Sequence, residues 1–287
     1  MKRITADQLN PRHPRSISMR KELSYQNKKI AYQNIGHGKP VILVHGFGED
    51  ESIWRNQIEA LKNSYRLIIP DLPGSGKSEI INDMSMEGMA EVIHEIIHTE
   101  NIESCPVIGH SMGGYITLAL AEEYPNHISA FGLFHSTAYA DSEEKKITRC
   151  KGIEFIEKHG AAEFLKTTLP NLFSQKTKDE RPELIDEQLA GLDNFSSLAL
   201  VSYYKAMMQR PDRTFLLRET TVPVLFIIGE HDNAVPVKDA LEQCHLPEKS
   251  YIHILRQSAH MGMLEETERS NTALENFLSD IIFTAPA

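Results

Sequence analysis

Ser111 lies in the run Gly109-His110-Ser111-Met112-Gly113-Gly114, a G-x-S-x-G pattern. A short apolar stretch, Cys105-Pro106-Val107-Ile108, precedes it, and a helical pattern, Tyr115-Ile116-Thr117-Leu118-Ala119-Leu120-Ala121, follows. In a strand–turn–helix setting this turn is so tight that the serine takes an unfavourable backbone conformation. Its hydroxyl then stands exposed at the C-terminal end of a strand. Glycines suit positions 109 and 113 because side chains would collide where strand and helix cross. The chemistry on offer is nucleophilic attack, with Ser111 as the nucleophile.

An acyl-transfer nucleophile needs a base, a group to orient the base, and an oxyanion site. His260, in Arg256-Gln257-Ser258-Ala259-His260-Met261-Gly262, follows the last strand-like run and suits the base. Asp232, in Gly229-Glu230-His231-Asp232-Asn233-Ala234-Val235-Pro236, lies just past another strand and suits the orienting acid. Asp141 is its rival, because it follows the strand-like run 128–135. Backbone N–H groups of Met112 and of Phe47, in His45-Gly46-Phe47-Gly48, are expected to form the oxyanion hole. His45 is expected to brace that loop and His110 to pack beneath the turn. Asp71 is expected to tie down the turn 73–76.

These groups require elements to hold them. Segments at 21–25, 30–34, 41–45, 66–70, 105–108, 128–135, 222–229 and 251–255 read as strands. Between them Ile53, Trp54, Ile58 and Leu61, and then Met86, Met89, Ile93 and Ile97, recur at helical spacing. A final helix places Leu274, Phe277, Leu278, Ile281 and Ile282 on one face. Alternation of strand and helix predicts an α/β fold with a mostly parallel sheet of about eight strands and helices on both faces. Residues 138–214 break the alternation with helical periodicity alone, and are expected to form an inserted helical cap. The core is then 21–137 with 215–287, and residues 1–20 a loose tail.

The 287 residues carry a formal net charge of -10, which argues against nucleic acid and anionic membranes as partners. Three widely spaced cysteines imply neither a disulfide framework nor a metal cluster. The basic N-terminus is followed by no apolar segment, and no run of about 18 apolar residues occurs. A cytoplasmic location is therefore expected. No metal is expected. Gly74-Ser75-Gly76-Lys77-Ser78 mimics a phosphate loop, but Asp71 stands where that motif needs glycine.

Taken in order, several segments resemble the α/β-hydrolase superfamily, in its branch of capped, carboxylesterase-like serine hydrolases. They are His45-Gly46-Phe47-Gly48, Asp71-Leu72-Pro73-Gly74-Ser75-Gly76-Lys77-Ser78, Gly109–Gly114, Gly229 with Asp232 and Pro236, and His260 with Glu265. The resemblance spans roughly residues 21–283. It implies an α/β-hydrolase fold and a triad in the chain order Ser111, Asp232, His260. Ala259 and Thr267 depart from the common pattern, in which glycine and proline are frequent.

The expected activity is hydrolysis of a small carboxylic ester through an acyl-enzyme, with no cofactor and a small-molecule substrate. C–C bond hydrolysis and thioester hydrolysis on the same triad are the alternatives, as is a ligand-binding, receptor-like member of the fold. His135, Met207 and Met208 are expected to line the substrate pocket, with Ser136 beside His135. Phe164, Phe173, Tyr203 and Tyr204 either join them or form the core of the helical block.

Overall fold

Val41-Ile42-Leu43-Val44, Val107-Ile108 and the run from Val224 to Ile228 have no polar face to offer water. Such segments fold as strands covered on both sides. The computed structural model describes residues 18–192 and 195–283. Its eight strands are β1 Ser18–Tyr25, β2 Lys28–Gly36, β3 Lys39–Val44, β4 Tyr65–Pro70, β5 Cys105–His110, β6 Ile128–Phe134, β7 Val224–Gly229 and β8 Ser250–Leu255. They form one sheet in the order β1-β2-β4-β3-β5-β6-β7-β8. The pairs β1–β2 and β2–β4 are antiparallel, and every other pair is parallel.

Helices cover both faces. On the way through the sheet come α1 Arg55–Leu61, α2 Met86–Thr99 and α3 Met112–Glu123. Helix α2 buries Met86, Met89, Ile93 and Ile97, the stripe expected from its spacing, and packs on α3. Each such side chain removed from water contributes about 1.5–3 kcal/mol. Between β6 and β7 lie α4 Glu143–His159, α5 Ala161–Thr168, α6 Gln175–Glu180, α7 Glu183–Leu189, α8 Ser197–Gln209 and α9 Thr214–Glu219. The chain is fastened where it leaves and rejoins the sheet: Arg213 N–H donates to Ala138 O at 2.8 Å. The last helices are α10 Val237–Leu241, α11 Gly262–Glu265 and α12 Thr267–Phe283, and α12 packs on α1.

Two boundaries differ from expectation. Strand β1 begins at Ser18, so residues 18–20 belong to the sheet and not to a loose tail. Arg20 is the reason: its guanidinium pairs with the carboxylates of Glu51 and Asp71, carrying the strand alongside them. Helical structure also continues to Glu219, beyond position 214, before β7 begins. Residues 1–17 and the side chain of Ile282 lie outside the described residues. Among the described residues no helix is long and apolar enough to cross a membrane.

Candidate active site

The turn between β5 and α3 leaves no room for side chains on its glycines. A Cβ on Gly109 would lie 2.2 Å from Gly113 O, and one on Gly113 would lie 2.4 Å from Val44 O. The crossing forces Ser111 to φ 51° and ψ -117°, a conformation that non-glycine residues rarely hold. Neighbouring strands fix it there. Ser111 N–H donates to Phe134 O at 2.9 Å, and Ser136 Oγ donates to Ser111 O at 2.7 Å.

The loops after β7 and β8 bring the other two groups in. His260 Nε2 lies 2.9 Å from Ser111 Oγ, and His260 Nδ1 lies 2.7 Å from Asp232 Oδ2. The carboxylate at Nδ1 requires the proton there, which leaves the Nε2 lone pair to accept the Ser111 hydroxyl. The other Asp232 oxygen, Oδ1, accepts the N–H groups of Ala234 and Val235 at 2.8 and 2.9 Å. Burial alone would raise the Asp232 pKa. The charge of His260 and hydrogen bonds from His135 and His260 outweigh burial and hold it well below the usual carboxylate range. For His260, burial works to lower the pKa, and the Asp232 carboxylate reverses it, so the net shift is upward.

His135 is not on the pocket wall, contrary to expectation. Its φ of 48° ends β6 and its side chain is fully enclosed. Nε2 accepts Gly262 N–H at 3.2 Å, and Nδ1 faces Asp232 Oδ2, also 3.2 Å away. Gly229 N–H donates to the same nitrogen at 3.1 Å. Burial, the largest influence, lowers the pKa of His135 and keeps it neutral. The donor atoms of His135, Asp232 and His260 converge within 4.8 Å. The hydrogen bonds above use the lone pairs a cation would need, so the trio reads as a hydrogen-bonded network.

His45 and His110 sit where expected and act through the backbone. His45 Nε2 accepts Leu72 N–H at 2.9 Å, tying its loop to the end of β4. His110 is wholly buried, with Nε2 3.0 Å from His260 O and Nδ1 3.0 Å from Glu49 Oε2. Both nitrogens face oxygen acceptors. Glu49 Oε2 also accepts Gly46 N–H at 2.6 Å. Burial would raise the Glu49 pKa, but His110 and the Gly46 N–H together bring it down. Sequence reasoning missed Glu49. An acid four residues past a strand carries no signal that it will turn inward.

Phe47 and Met112, the expected oxyanion donors, flank the serine. No acceptor among the described residues takes either N–H. The Phe47 ring stacks on Tyr204, with centroids 4.4 Å apart and planes 5° apart. Ser111 and His260 open into a cavity of about 140 Å³, lined also by Tyr115, Arg149, Tyr204 and Met207. A neighbouring hollow of about 190 Å³ shares Phe47, Glu49, Leu172 and Tyr204 with it.

Met207 therefore lines the cavity and Met208 does not. Consecutive helical residues point about 100° apart, and Met208 turns to Cys150, with its sulfur 3.7 Å from Sγ. Tyr203 is buried, its hydroxyl donating to Pro73 O at 2.6 Å. Phe164 meets Phe47 edge-on, and Phe173 is buried at the rim of another hollow. Asp141, the rival acid, is held by Arg149 and Arg210 and makes no bond to His260. Asp71 accepts the N–H groups of Lys77 and Glu51, anchoring the turn as expected.

Glu265 fastens the histidine loop to the helical insertion. Its Oε1 accepts Ala259 N–H and its Oε2 accepts Ser174 N–H, each at 2.8 Å. His260 N–H in turn donates to Leu172 O at 2.9 Å.

Comparison with known proteins agrees with this architecture. The family described as alpha/beta hydrolase fold matches residues 39–146. A 2-hydroxy-6-oxononadienedioate/2-hydroxy-6-oxononatrienedioate hydrolase of Paraburkholderia phymatum is 29% identical over 264 residues, covering 87% of this chain and 91% of its own. The 3-oxoadipate enol-lactonase 1 of Acinetobacter baylyi is 24% identical over 259 residues, covering 89% and 95%. Among solved structures, a thermophilic esterase from Thermogutta terrifontis, described with malate bound, superposes with a TM-score of 0.86 at 27% identity. That match covers 92% of this chain and 99% of the esterase. The order of the sheet, the strained serine turn and these likenesses agree: the chain has the α/β-hydrolase fold.

Proposed function

We propose that the protein is a serine hydrolase that cleaves a small carboxylic ester through an acyl-enzyme. The observation that carries this reading is the unbroken chain from Ser111 Oγ to His260 Nε2, and from His260 Nδ1 to Asp232 Oδ2. Ser111 Oγ attacks the carbonyl carbon while His260 Nε2 takes its proton. The N–H groups of Phe47 and Met112 receive the oxyanion of the tetrahedral intermediate. His260 then returns the proton to the departing alcohol. A water molecule, deprotonated by His260, attacks the acyl-enzyme and releases the acid. The helices between β6 and β7 act as a cap over this site.

A second reading has its own support. The similarity to the Paraburkholderia phymatum hydrolase favours C–C bond cleavage on the same three side chains. Turnover of a 4-nitrophenyl ester series, acetate to decanoate, by wild type and Ser111→Ala separates the two. Fast hydrolysis that falls by about 10⁴ or more in Ser111→Ala is expected. A folded wild type that ignores every ester would turn the assignment to C–C cleavage. Equal turnover by the variant would remove Ser111 from the mechanism.

A further inference from the structure

Arg149, on α4, is a cation in the wall of the cavity that holds Ser111 and His260. It shares its counter-ion with a second cation. Asp141, with its side chain fully buried, is gripped by two guanidinium groups. Arg149 Nη2 reaches Asp141 Oδ1 at 3.2 Å with Nε on the other oxygen, and Arg210 Nη1 reaches Oδ1 at 2.8 Å. Two positive charges thus face one negative charge. Arg210 spends its remaining donors on Met207 O and Tyr139 O, and its plane lies 3.8 Å over the Tyr115 ring. Arg149 Nη1, by contrast, has no partner among the described residues.

The other charged groups on the cavity are already matched. Glu49 is held by His110 and Gly46 N–H, and Asp232 sits between His260 and His135. The surplus positive charge therefore belongs to Arg149. Its guanidinium lies 5.3 Å over Tyr204, whose ring stacks on Phe47, the residue whose N–H meets the oxyanion in the mechanism above. Tyr204 thus contacts both the cation and a residue of that loop. A half-buried guanidinium set over a ring face is costly unless anions match its charge.

We infer that Arg149 anchors an anionic group of the substrate, so that the molecule cleaved is a short-chain ester bearing a carboxylate. The inference rests on the serine-hydrolase reading. A cavity of roughly 150 Å³ holds a benzene-sized ligand. The cavity here, about 140 Å³, therefore takes a short acid of that scale.

The test compares monomethyl glutarate with methyl 5-methylhexanoate, in which an isopropyl group replaces the carboxylate. Proton release at constant pH gives kcat/KM for wild type, Arg149→Gln and Arg149→Lys. The wild type is expected to favour the charged ester about tenfold or more. Arg149→Gln is expected to lower that ratio by about tenfold, and Arg149→Lys to keep part of it. A wild-type ratio at or below one, or a ratio unchanged in Arg149→Gln, overturns the inference. Calorimetric binding of glutarate gives a readout that needs no turnover: it is expected to weaken about tenfold in Arg149→Gln, and unchanged or absent binding overturns the inference. Ser111→Ala, assayed alongside, reports on the acyl-transfer reading by itself.

Discussion

The edge of the sheet and the helical insertion build opposite walls of one cavity by different means. The sheet edge positions Ser111, Asp232 and His260 through backbone. Glycines at 109 and 113 admit no Cβ, Asp232 takes two N–H groups, and the His260 loop is held by Glu265 and by His110. The insertion positions Tyr204, Met207 and Arg149 largely through side-chain contacts, by ring stacking and one buried ion cluster. Backbone constraint leaves a single geometry, whereas stacked rings tolerate substitution with repacking. On the proposed function, the first wall carries the chemistry and the second the choice of substrate.

Substitutions can break that division. Asp232→Asn is expected to cut kcat by about 10³–10⁴, because the amide no longer enforces the His260 tautomer. The pH profile gives the sign of the coupling. His260 acts as base only when neutral, and Asp232 raises its pKa above the ordinary 6.5. The acid limb of kcat/KM should therefore lie above pH 6.5 in the wild type and move to lower pH in Asp232→Asn. A limb at or below 6.5 in the wild type would contradict the coupling.

Glu49→Gln is expected to lower kcat about ten- to a hundredfold. The Glu49 carboxylate joins Gly46 N–H to His110, and His110 joins the His260 backbone, so one change loosens the donor loop and the base together. Steady-state kinetics showing a change in KM alone would place Glu49 with the insertion instead. The smallest effect belongs to the second wall. Met207→Ala should move the preferred acyl length upward and alter kcat/KM severalfold, while Met208→Ala leaves the preference where it is. An equal response from both would mean that the 100° separation on α8 does not decide which residue meets substrate.

The same division explains what the sequence discloses. Elements of the sheet are legible because strand burial and helical stripes are local patterns, as in 41–44 and in Met86, Met89, Ile93 and Ile97. The juxtaposition of Ser111, Asp232 and His260 is legible for a related reason: each sits one turn past a strand, and parallel strands bring their C-terminal ends to one edge. Contacts between distant side chains are not legible. His135 ends a strand like the others, yet its backbone turns the ring under Asp232 and away from the cavity. Glu49 looks like any loop acid until His110 and Gly46 are seen to surround it. Met208 and Met207 differ only in helical phase, which no composition reveals. The start of β1 at Ser18 depends on Arg20 meeting two acids 31 and 51 residues away.

The most direct test of the account is mass spectrometry after exposure to a fluorophosphonate, which phosphonylates only an activated serine. The account predicts one adduct per chain, mapped to Ser111, forming in step with loss of ester turnover and failing to form in His260→Ala. An unlabelled wild type, or a label on any other residue, would contradict it.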